Sequence, residues 1–352
     1  MDMDMDNAQS IRKHKIKFPD ISSRSWEHPA DRAALSALRK VPGLDLLLQK
    51  FIGATTERSI RLISLASAVR VTQQQFGKVS LLFDEACGIL DVRQKPELFV
   101  SQSPFLNAGA IGVERPFIVL NSSLLDSLNE EELLAVMAHE LGHCLSGHVL
   151  YKTLLALLLR FSVFASSIPL GNASIFAIIA ALREWDRKSE LSADRAEILV
   201  TQDPNVSYAL LMKMAGGRHI EQMDYNEFFL QAAEYEKGGT VLDSVFKLLN
   251  LLGQTHPFPV IRLTELKSWV DSGAYGKILA GEYIHRDQEK DASVRDDIRD
   301  AANQYKDDIN KSQDPLTETL RNAAANMGET AGEVGKKAKE VFDSIFGNGG
   351  KK

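Results

Sequence analysis

The sequence predicts an α+β protein that is mainly helical and carries one small sheet. Two observations lead to this prediction. Apolar residues recur at three- and four-residue spacing over much of the chain, which is typical of amphipathic helices. Between Val92 and Asn121 the pattern changes to short runs that are rich in branched and aromatic residues and bounded by Pro, Gly and Asn.

The composition is that of an ordinary globular protein. Of 352 residues, 44% are hydrophobic and 25% charged, which is enough for a sizeable core. The net charge of -6 argues against a nucleic acid as the main partner. Two cysteines make no disulfide framework, and Cys144 is expected to be a small apolar residue rather than a ligand. The opening MDMDMDNAQS does not resemble a signal peptide, so we expect a cytoplasmic protein.

Shifts in composition divide the chain into three parts. Residues 1–30 are polar and are expected to be poorly ordered. Residues 31–286 should form the main domain, which includes an inserted apolar segment at 149–182. Residues 287–352 are charged and Ala-rich, and we expect a helical or disordered tail whose partner the sequence does not define.

The elements of the main domain follow in order. Residues 33–90 are predicted to be helical, and PELFVSQ, NAGAIGV and RPFIVLN are predicted strands. Asn129 is a good helix N-cap, and Glu132 lies where the partner in a capping box belongs. A further helix, REWDRKSELSADRAEILV, should begin near Glu184 and end near Asp203 and Pro204. More helices are predicted at SYALLMKMAG, at VLDSVFKLLNLL and after HPFPVIRL.

The apolar segment 149–182 is predicted to be a helical hairpin that packs on the protein or on a partner chain. Its second half is too short for a membrane span, and Arg160 interrupts the first half. Peripheral membrane contact is the alternative, because Lys152 and Arg160 could extend to a membrane surface, although they could equally border a protein interface. The leucines of the first half cover nearly a full helical turn, so something must cover them.

The stretch AVMAHELGHCLSGH, from Ala135 to His148, predicts a metal site. His139 and His143 lie four residues apart, so on a helix they project side by side and can bind one ion. Glu140 is turned about 100° from His139, and this suits it to reach a water bound to that ion. This is the geometry of an H-E-x-x-H motif on a helix with apolar flanks.

A catalytic zinc needs a third protein ligand, and SELSAD supplies candidates. Glu190 and Asp194 are four apart and face the same way, so Glu190 could bind the metal while Asp194 holds the free nitrogen of His139. Glu184 and Glu197 are rivals for the ligand position. His148 is expected to be no ligand, because a three-histidine motif would place its last histidine at Val149.

Four motifs in series, NAGAIG, ELLAVMAHELGH, SELSADRAE and THPFPVIRL, resemble the HtpX and CAAX-prenyl-protease type of zinc metallopeptidases, a gluzincin family. The resemblance covers roughly residues 31–266. It implies a zincin-like core with a small antiparallel sheet, whose edge strand faces the active site. It also implies that His139, His143 and Glu190 bind one zinc per chain, that Glu140 is the general base and acid, and that Asp194 supports a ligand.

Two more residues match positions of that family. Asn107, at the start of the edge strand, and His256, before Pro257, would by this resemblance hold the substrate carbonyl and its developing oxyanion. A donor aimed at that oxygen contributes a few kcal/mol. Arg262 matches an arginine of the same block and is expected to be structural.

Two functions are compatible with these features. The first is an intracellular zinc endopeptidase that acts on protein or peptide substrates, with a role in protein quality control and a peripheral location at the inner face of a membrane as further expectations. The second is a non-catalytic helical scaffold with a structural metal, whose hairpin at 149–182 and tail at 287–352 bind a membrane or a partner. An open fourth metal position favours the first function, and a fourth protein ligand such as His148 would favour the second.

Overall fold

The computed structural model describes residues 14–41, 43–45, 47–48, 57–160, 172–237 and 259–290. Helices predominate in this part of the chain, as the sequence predicted. They are α1 Pro29–Leu38, α2 Glu57–Ser67, α3 Gly77–Ile89, α4 Ser122–Ser127, α5 Glu130–Leu145, α6 Val149–Arg160, α7 Asn172–Thr201, α8 Pro204–Gly216, α9 Tyr225–Lys237, α10 Pro259–Asp271 and α11 Ala274–Leu279. Short 3-10 turns lie at Ser23–Ser25, Ile220–Gln222 and Arg286–Lys290.

The sheet is mixed, so the expectation of an antiparallel sheet was wrong. Its strands are β1 Val69–Arg70, β2 Glu97–Ser101, β3 Ala108–Ile111 and β4 Phe117–Asn121, in the spatial order β1-β2-β4-β3. β1 and β3 pair antiparallel with their neighbours, but β2 and β4 are parallel. The reason is connectivity: the chain leaves β2, reverses along the edge as β3 and returns as β4 between them, which makes two strands of the same direction neighbours.

Helix α5 has well-defined signals at both ends. At its start the Asn129 side chain accepts from the Glu132 backbone, while the Glu132 carboxylate accepts from the Asn129 backbone at 2.9 Å, which is the predicted capping box. At its end Gly147 adopts a left-handed φ of 69°. The His148 amide then donates to the carbonyl of His143 at 3.0 Å, which is the hydrogen bond of a Schellman motif. The helix therefore stops just after the metal motif, and His148 folds back toward it.

Helix α7 is longer than the sequence predicted. It begins at Asn172 and runs for 30 residues, so the second half of the expected hairpin and the SELSAD helix are one element. No helix breaker separates the two, because the next proline after Asn172 is Pro204. Glu184 therefore lies inside the helix and does not start it. The predicted end is present: Asp203 caps α8, and Pro204 is its first residue.

Helices α5 and α7 cross at very close range, and Gly142 makes this possible. A Cβ atom at Gly142 would lie 2.8 Å from the Cβ of Ala196 and 3.1 Å from the Cα of Ala193. Such distances are below van der Waals contact, so the two helices can approach this closely only without a side chain there. The close crossing holds the polar residues of α7 against the histidines of α5.

The N-terminal segment departs from the expectation of poor order up to residue 30. Phe18, Ile21 and Trp26 are each at most 1% exposed and belong to the main core cluster. The Phe18 amide donates to the carbonyl of Ile89 at 2.9 Å, and the Trp26 indole donates to Ser146 at 3.2 Å. A few large apolar residues among polar neighbours thus suffice to anchor this segment, and the packed domain begins well before residue 31.

A second core cluster covers the first half of the predicted hairpin. Leu154 and Leu155 of α6 are buried there, and Leu157 and Leu158 pack against it. The other walls come from α1 and α7, so these leucines meet the chain's own core. The cluster consists of Ala34, Leu38, Leu44, Leu47, Tyr151, Leu154, Leu155, Ile178, Leu182 and Trp185.

The membrane span and three predicted segments remain to be compared with the structure. Among the residues that the structure describes, no helix has both the length and the apolar character needed to cross a membrane. The hairpin turn at 161–171, the helix predicted at 241–252 and the tail beyond residue 290 lie outside the described residues.

Replacing Gly142 with alanine should destabilise the fold. The added methyl group would overpack the α5–α7 crossing, and we expect the free energy of unfolding to fall by about 1–3 kcal/mol. Gly88→Ala is the matched control, because Gly88 is exposed inside α3 and its Cβ would have nothing within 4 Å. That change should stabilise the protein by about 0.5–1 kcal/mol. Urea unfolding measures both, and an unchanged midpoint for Gly142→Ala would contradict the close crossing.

Candidate metal centre

Three of the predicted ligand side chains converge between α5 and α7. The Nε2 atom of His139 lies 3.2 Å from one carboxylate oxygen of Glu190, and the Nε2 atom of His143 lies 3.1 Å from the other. The two imidazole rings stand nearly perpendicular, with centroids 4.9 Å apart. One ligand atom from each residue falls within 4.8 Å of the others, so a single ion could bind all three.

The residues at this site fit a metal ion with its bound water. His139, His143, Glu140 and Glu190 are all buried. The Nε2 atom of His143 lies 3.1 Å from Glu190 but forms no hydrogen bond of suitable geometry, and one oxygen of Glu140 has no hydrogen-bond partner among the described residues. Both atoms are inaccessible to solvent. Leaving such atoms unsatisfied costs about 1–3 kcal/mol each, so a partner is expected. Two imidazole nitrogens and one carboxylate are a ligand set typical of catalytic zinc.

The other ring nitrogen of His139 faces a buried ion pair. Its Nδ1 atom lies 3.1 Å from Asp194, and Arg262 binds both oxygens of that carboxylate, one of them at 2.9 Å. Burial would raise the pKa of Asp194, but the Arg262 cation holds it below its ordinary value. An ionised Asp194 keeps the proton of His139 on Nδ1 and leaves Nε2 directed toward Glu190.

The two histidines have opposite electrostatic environments. Burial would lower the pKa of His139, but Asp194 and Glu190 raise it well above its ordinary value. Burial and the nearby Lys152 cation hold the pKa of His143 well below its ordinary value. A metal ligand must be a neutral imidazole, so binding would displace a proton from His139, whereas His143 is already neutral.

The rivals for the third ligand position lie elsewhere. Glu184 pairs with Arg187 on its own helix and is not part of the cluster. Glu197 is buried, but it lies 3.6 Å from the Nδ1 atom of His139, the nitrogen that also faces Asp194, whereas Glu190 faces Nε2. The geometry therefore brings Glu190, and neither rival, to the Nε2 atoms of His139 and His143.

His148 and Cys144 both lie outside the ligand cluster. His148 is 1% exposed, and its two ring nitrogens contact His143 and Asp31. Burial raises the pKa of the Cys144 thiol, so it is protonated and a poor metal ligand.

Lys152 has a different environment from the membrane surface or interface border that the sequence allowed. Its amino group lies 2.7 Å from Asp186 and 2.6 Å from Glu190, inside the molecule. Burial would lower its pKa, but these two carboxylates raise it above the ordinary value. Lys152 thus supplies a fixed cation beside a candidate metal ligand.

Of the two predicted substrate-binding residues, the structure describes Asn107 but not His256. Asn107 directly precedes β3, which is the last strand of the sheet and packs against α5. Its carbonyl oxygen accepts from the Asn121 amide at 3.0 Å. His256 lies outside the described residues, so the structure does not bear on its role.

Two residues near the site were not found from the sequence. Asp31 lies on a helix distant along the chain, Lys152 lies on the helix that directly follows the metal helix, and neither belongs to a motif. Arg262, which was expected to be structural, pairs with Asp194, and its guanidinium lies 3.3 Å from the Nδ1 atom of His139. The sequence offered one signal that His148 returns toward His143: Gly147 lies just past the helix end, where a glycine commonly reverses the chain.

An H-E-x-x-H helix that meets a glutamate of a second helix is typical of metal-dependent peptidases. Comparison with known proteins agrees, because the profile of Peptidase family M48 matches residues 73–270. The chain belongs to this family and is a metalloprotease. The resemblance inferred from the four motifs is therefore confirmed.

Similar proteins come from chloroplasts and bacteria. A plastoglobule-localized metallopeptidase 48 of Arabidopsis thaliana is 34% identical over 75% of this chain and 77% of its own length. A protease HtpX homolog of Fusobacterium nucleatum is 23% identical over 64% of this chain and 78% of its own. One from Streptomyces coelicolor is 28% identical over 52% and 69%. No solved structure matches the chain significantly.

Metal content should depend on Glu190 and not on Glu197. Glu190→Ala removes one of three candidate ligands, so we expect the purified protein to lose its zinc. Glu197→Ala is the matched control, since it removes a buried carboxylate of the same helix that faces Nδ1 and not Nε2 of His139. Elemental analysis should find one zinc per chain for the parent and for Glu197→Ala. The reverse pattern would make Glu197 the ligand.

Removing Arg262 should weaken the fold strongly. The pair that it forms with Asp194 is fully buried, and breaking one side of such a pair costs about 3–5 kcal/mol. We expect Arg262→Met to lower the free energy of unfolding by that amount, and the additional change Asp194→Asn to restore part of it. Urea unfolding with and without excess zinc measures both. A loss typical of surface ion pairs, about 0–1 kcal/mol, would contradict this.

Proposed function

We propose that the protein is a zinc metalloendopeptidase that cleaves peptide bonds in protein or peptide substrates. The observation that carries this proposal is the buried cluster of His139, His143 and Glu190, with Glu140 beside it. Membership of a metalloprotease family supports the proposal. The ligand set of two nitrogens and one oxygen favours zinc among the common metals, with one ion per chain.

In the mechanism that we propose, Glu140 moves the proton. When bound, zinc lowers the pKa of its water and polarises the scissile carbonyl. Glu140 is one residue on from His139, and one of its oxygens has no protein partner among the described residues. That oxygen accepts the proton of the attacking water, and the carboxyl group then returns it to the leaving amine. His139, His143 and Glu190 hold the ion, while Asp194 and Arg262 keep His139 in its binding orientation.

The substrate would bind in an extended conformation along β3. Within the described part of the chain, β3 pairs with β4 on one side only, and it packs against the metal helix α5. An edge strand can accept a peptide as an added strand through backbone hydrogen bonds. Asn107 at the start of β3 would hold the substrate carbonyl, and His256 would donate to the developing oxyanion.

A role in protein quality control and a peripheral location at a membrane belong to the same proposal. The relative named for its plastoglobule location supports contact with a lipid surface. Flotation of the purified protein with liposomes tests this contact, and a protein that stays at the bottom of the gradient would exclude it. The alternative function is a scaffold with a structural metal. The scaffold would keep a bound metal but cleave no substrate.

Replacing Glu140 should separate catalysis from metal binding. We expect Glu140→Gln to keep one zinc per chain but to lose about 10²–10⁴-fold in rate, since this is the usual contribution of general-base catalysis. The assay follows cleavage of an unfolded protein with and without a chelator. Glu132→Gln is the matched control on the same helix, because glutamine can also complete a capping box.

Three outcomes are informative. Chelator-sensitive cleavage by the parent and by Glu132→Gln, with a large loss for Glu140→Gln, supports the proposal. Cleavage by Glu140→Gln at the parent rate would show that the assigned mechanism is wrong. A zinc-loaded parent that cleaves no unfolded protein would favour the scaffold.

A further inference from the structure

We propose that Asp31 and His148 position the metal ligand His143, by fixing which of its ring nitrogens carries the proton. Asp31 lies in α1, and His148 lies in the turn between α5 and α6. Neither residue would touch the metal. This inference rests on the proposed metal site at His139, His143 and Glu190. It explains which contacts orient the ring of His143.

The three side chains form a continuous line of contacts. The Nδ1 atom of His148 lies 3.0 Å from the Nδ1 atom of His143. On the opposite edge of its ring, the Nε2 atom of His148 lies 3.0 Å from a carboxylate oxygen of Asp31. All three residues are at most 2% exposed, so water does not compete for these positions. Each contact has hydrogen-bond length, and each therefore requires one donor and one acceptor.

Asp31 determines which atoms donate along this line of contacts, because an ionised carboxylate can only accept hydrogen bonds. Its carboxylate accepts from the Trp185 indole at 3.0 Å and from the Ser192 hydroxyl at 2.6 Å, both on α7. Burial would raise the pKa of Asp31, but the contacts with His148, Ser192 and Trp185 hold it below its ordinary value. An ionised carboxylate offers no proton, so the Nε2 atom of His148 must be the donor in their contact.

The proton positions of the two rings then follow. A neutral imidazole that carries its proton on Nε2 has a lone pair on Nδ1. With an ion held at its Nε2 atom, which faces Glu190 in the ligand cluster, His143 carries its proton on Nδ1 and donates it toward His148. The Nδ1 atom of His148 must then accept, so the proton of His148 lies on Nε2 and is donated to Asp31. The opposite tautomer of His148 would direct a lone pair at an ionised carboxylate, which is repulsive.

The backbone holds His148 in this position independently of its side chain. Its amide donates to the carbonyl of His143 at 3.0 Å, and its own carbonyl accepts from the Lys152 amide at 3.1 Å. Gly147, at φ 69°, makes the reversal between the two helices possible. The ring of His148 also packs edge-on against Trp185, with centroids 5.6 Å apart. Position and orientation are therefore restrained by separate contacts.

The two histidine ligands are thus oriented in different ways. His139 contacts the carboxylate of Asp194 directly, whereas His143 reaches a carboxylate only through the ring of His148. Partners of this kind usually contribute about 10–100-fold to metal affinity. Asp31 also lies outside residues 73–270, the part that the family profile matches. The N-terminal helix would therefore contribute to the metal site of this chain.

The test measures zinc affinity directly, by competition with a chromophoric chelator on the full-length protein. We expect Asp31→Asn to weaken zinc binding by about 10–100-fold. The amide keeps the shape of the side chain, but its NH₂ group can donate to His148 and so allow the wrong tautomer. Glu132→Gln is the matched control: it makes the same change at a buried carboxylate of α5, 2.8 Å from Lys213. That variant should lose stability and keep the parent affinity.

A second readout reports the proton positions themselves. In zinc-loaded protein with ¹⁵N-labelled histidine, we expect His148 to be neutral with its proton on Nε2 in the parent and in Glu132→Gln, and to lose this arrangement in Asp31→Asn. Substitutions of His148 complete the series. His148→Asn keeps an acceptor oxygen near the former Nδ1 and should retain more affinity than His148→Leu, which offers none.

The outcomes separate this inference from the proposed metal site. If the parent binds one zinc and Asp31→Asn changes neither the affinity nor the proton position of His148, the positioning role is excluded. Equal losses of affinity for Asp31→Asn and Glu132→Gln would mean a structural role only, and would also overturn it. If His143→Ala binds zinc as tightly as the parent, the metal site itself is wrong.

Discussion

The close crossing of α5 and α7 at Gly142 is the constraint on which the site depends. It holds the two helices in direct contact, so that His139 and His143 on one helix meet Glu190 and Asp194 on the other. Because each pair is spaced by four residues, both pairs project along the seam between the helices. A wider crossing would leave the carboxylates too far from the imidazole nitrogens to share one ion.

Placing several carboxylates in a buried seam requires compensating charge. Asp194 is matched by Arg262 on α10, and Glu190 is contacted by Lys152 on α6. Both cations keep their charge in the interior, because the neighbouring carboxylates raise the pKa of each one. Elements that supply no candidate ligand therefore still determine whether the ligands can be buried. A bound metal ion would add positive charge where the two imidazoles meet Glu190.

Parts of the chain that have no chemical motif also shape the site. The N-terminal segment packs Trp26 against the end of α5 and directs Asp31 of α1 toward His148. The second core cluster, which joins α1, α6 and α7, buries Trp185 and so holds the group that donates to Asp31. An apolar cluster that the sequence could connect with a membrane or a second copy thus has a clear role within the chain itself.

The sequence by itself determined the features that depend on near neighbours. Helical periodicity, the capping box at Asn129 and the strand composition predicted most of the elements, and four-residue spacing predicted which polar residues share a face. It also predicted the family. Only the tertiary structure decided that β2 and β4 are parallel, that Phe18 and Trp26 belong to the core, and that α7 continues through Glu184. It alone brought Asp31 to His148 and Lys152 to Glu190. These contacts join residues far apart in the chain, and they depend on how helices pack, for which no local pattern exists.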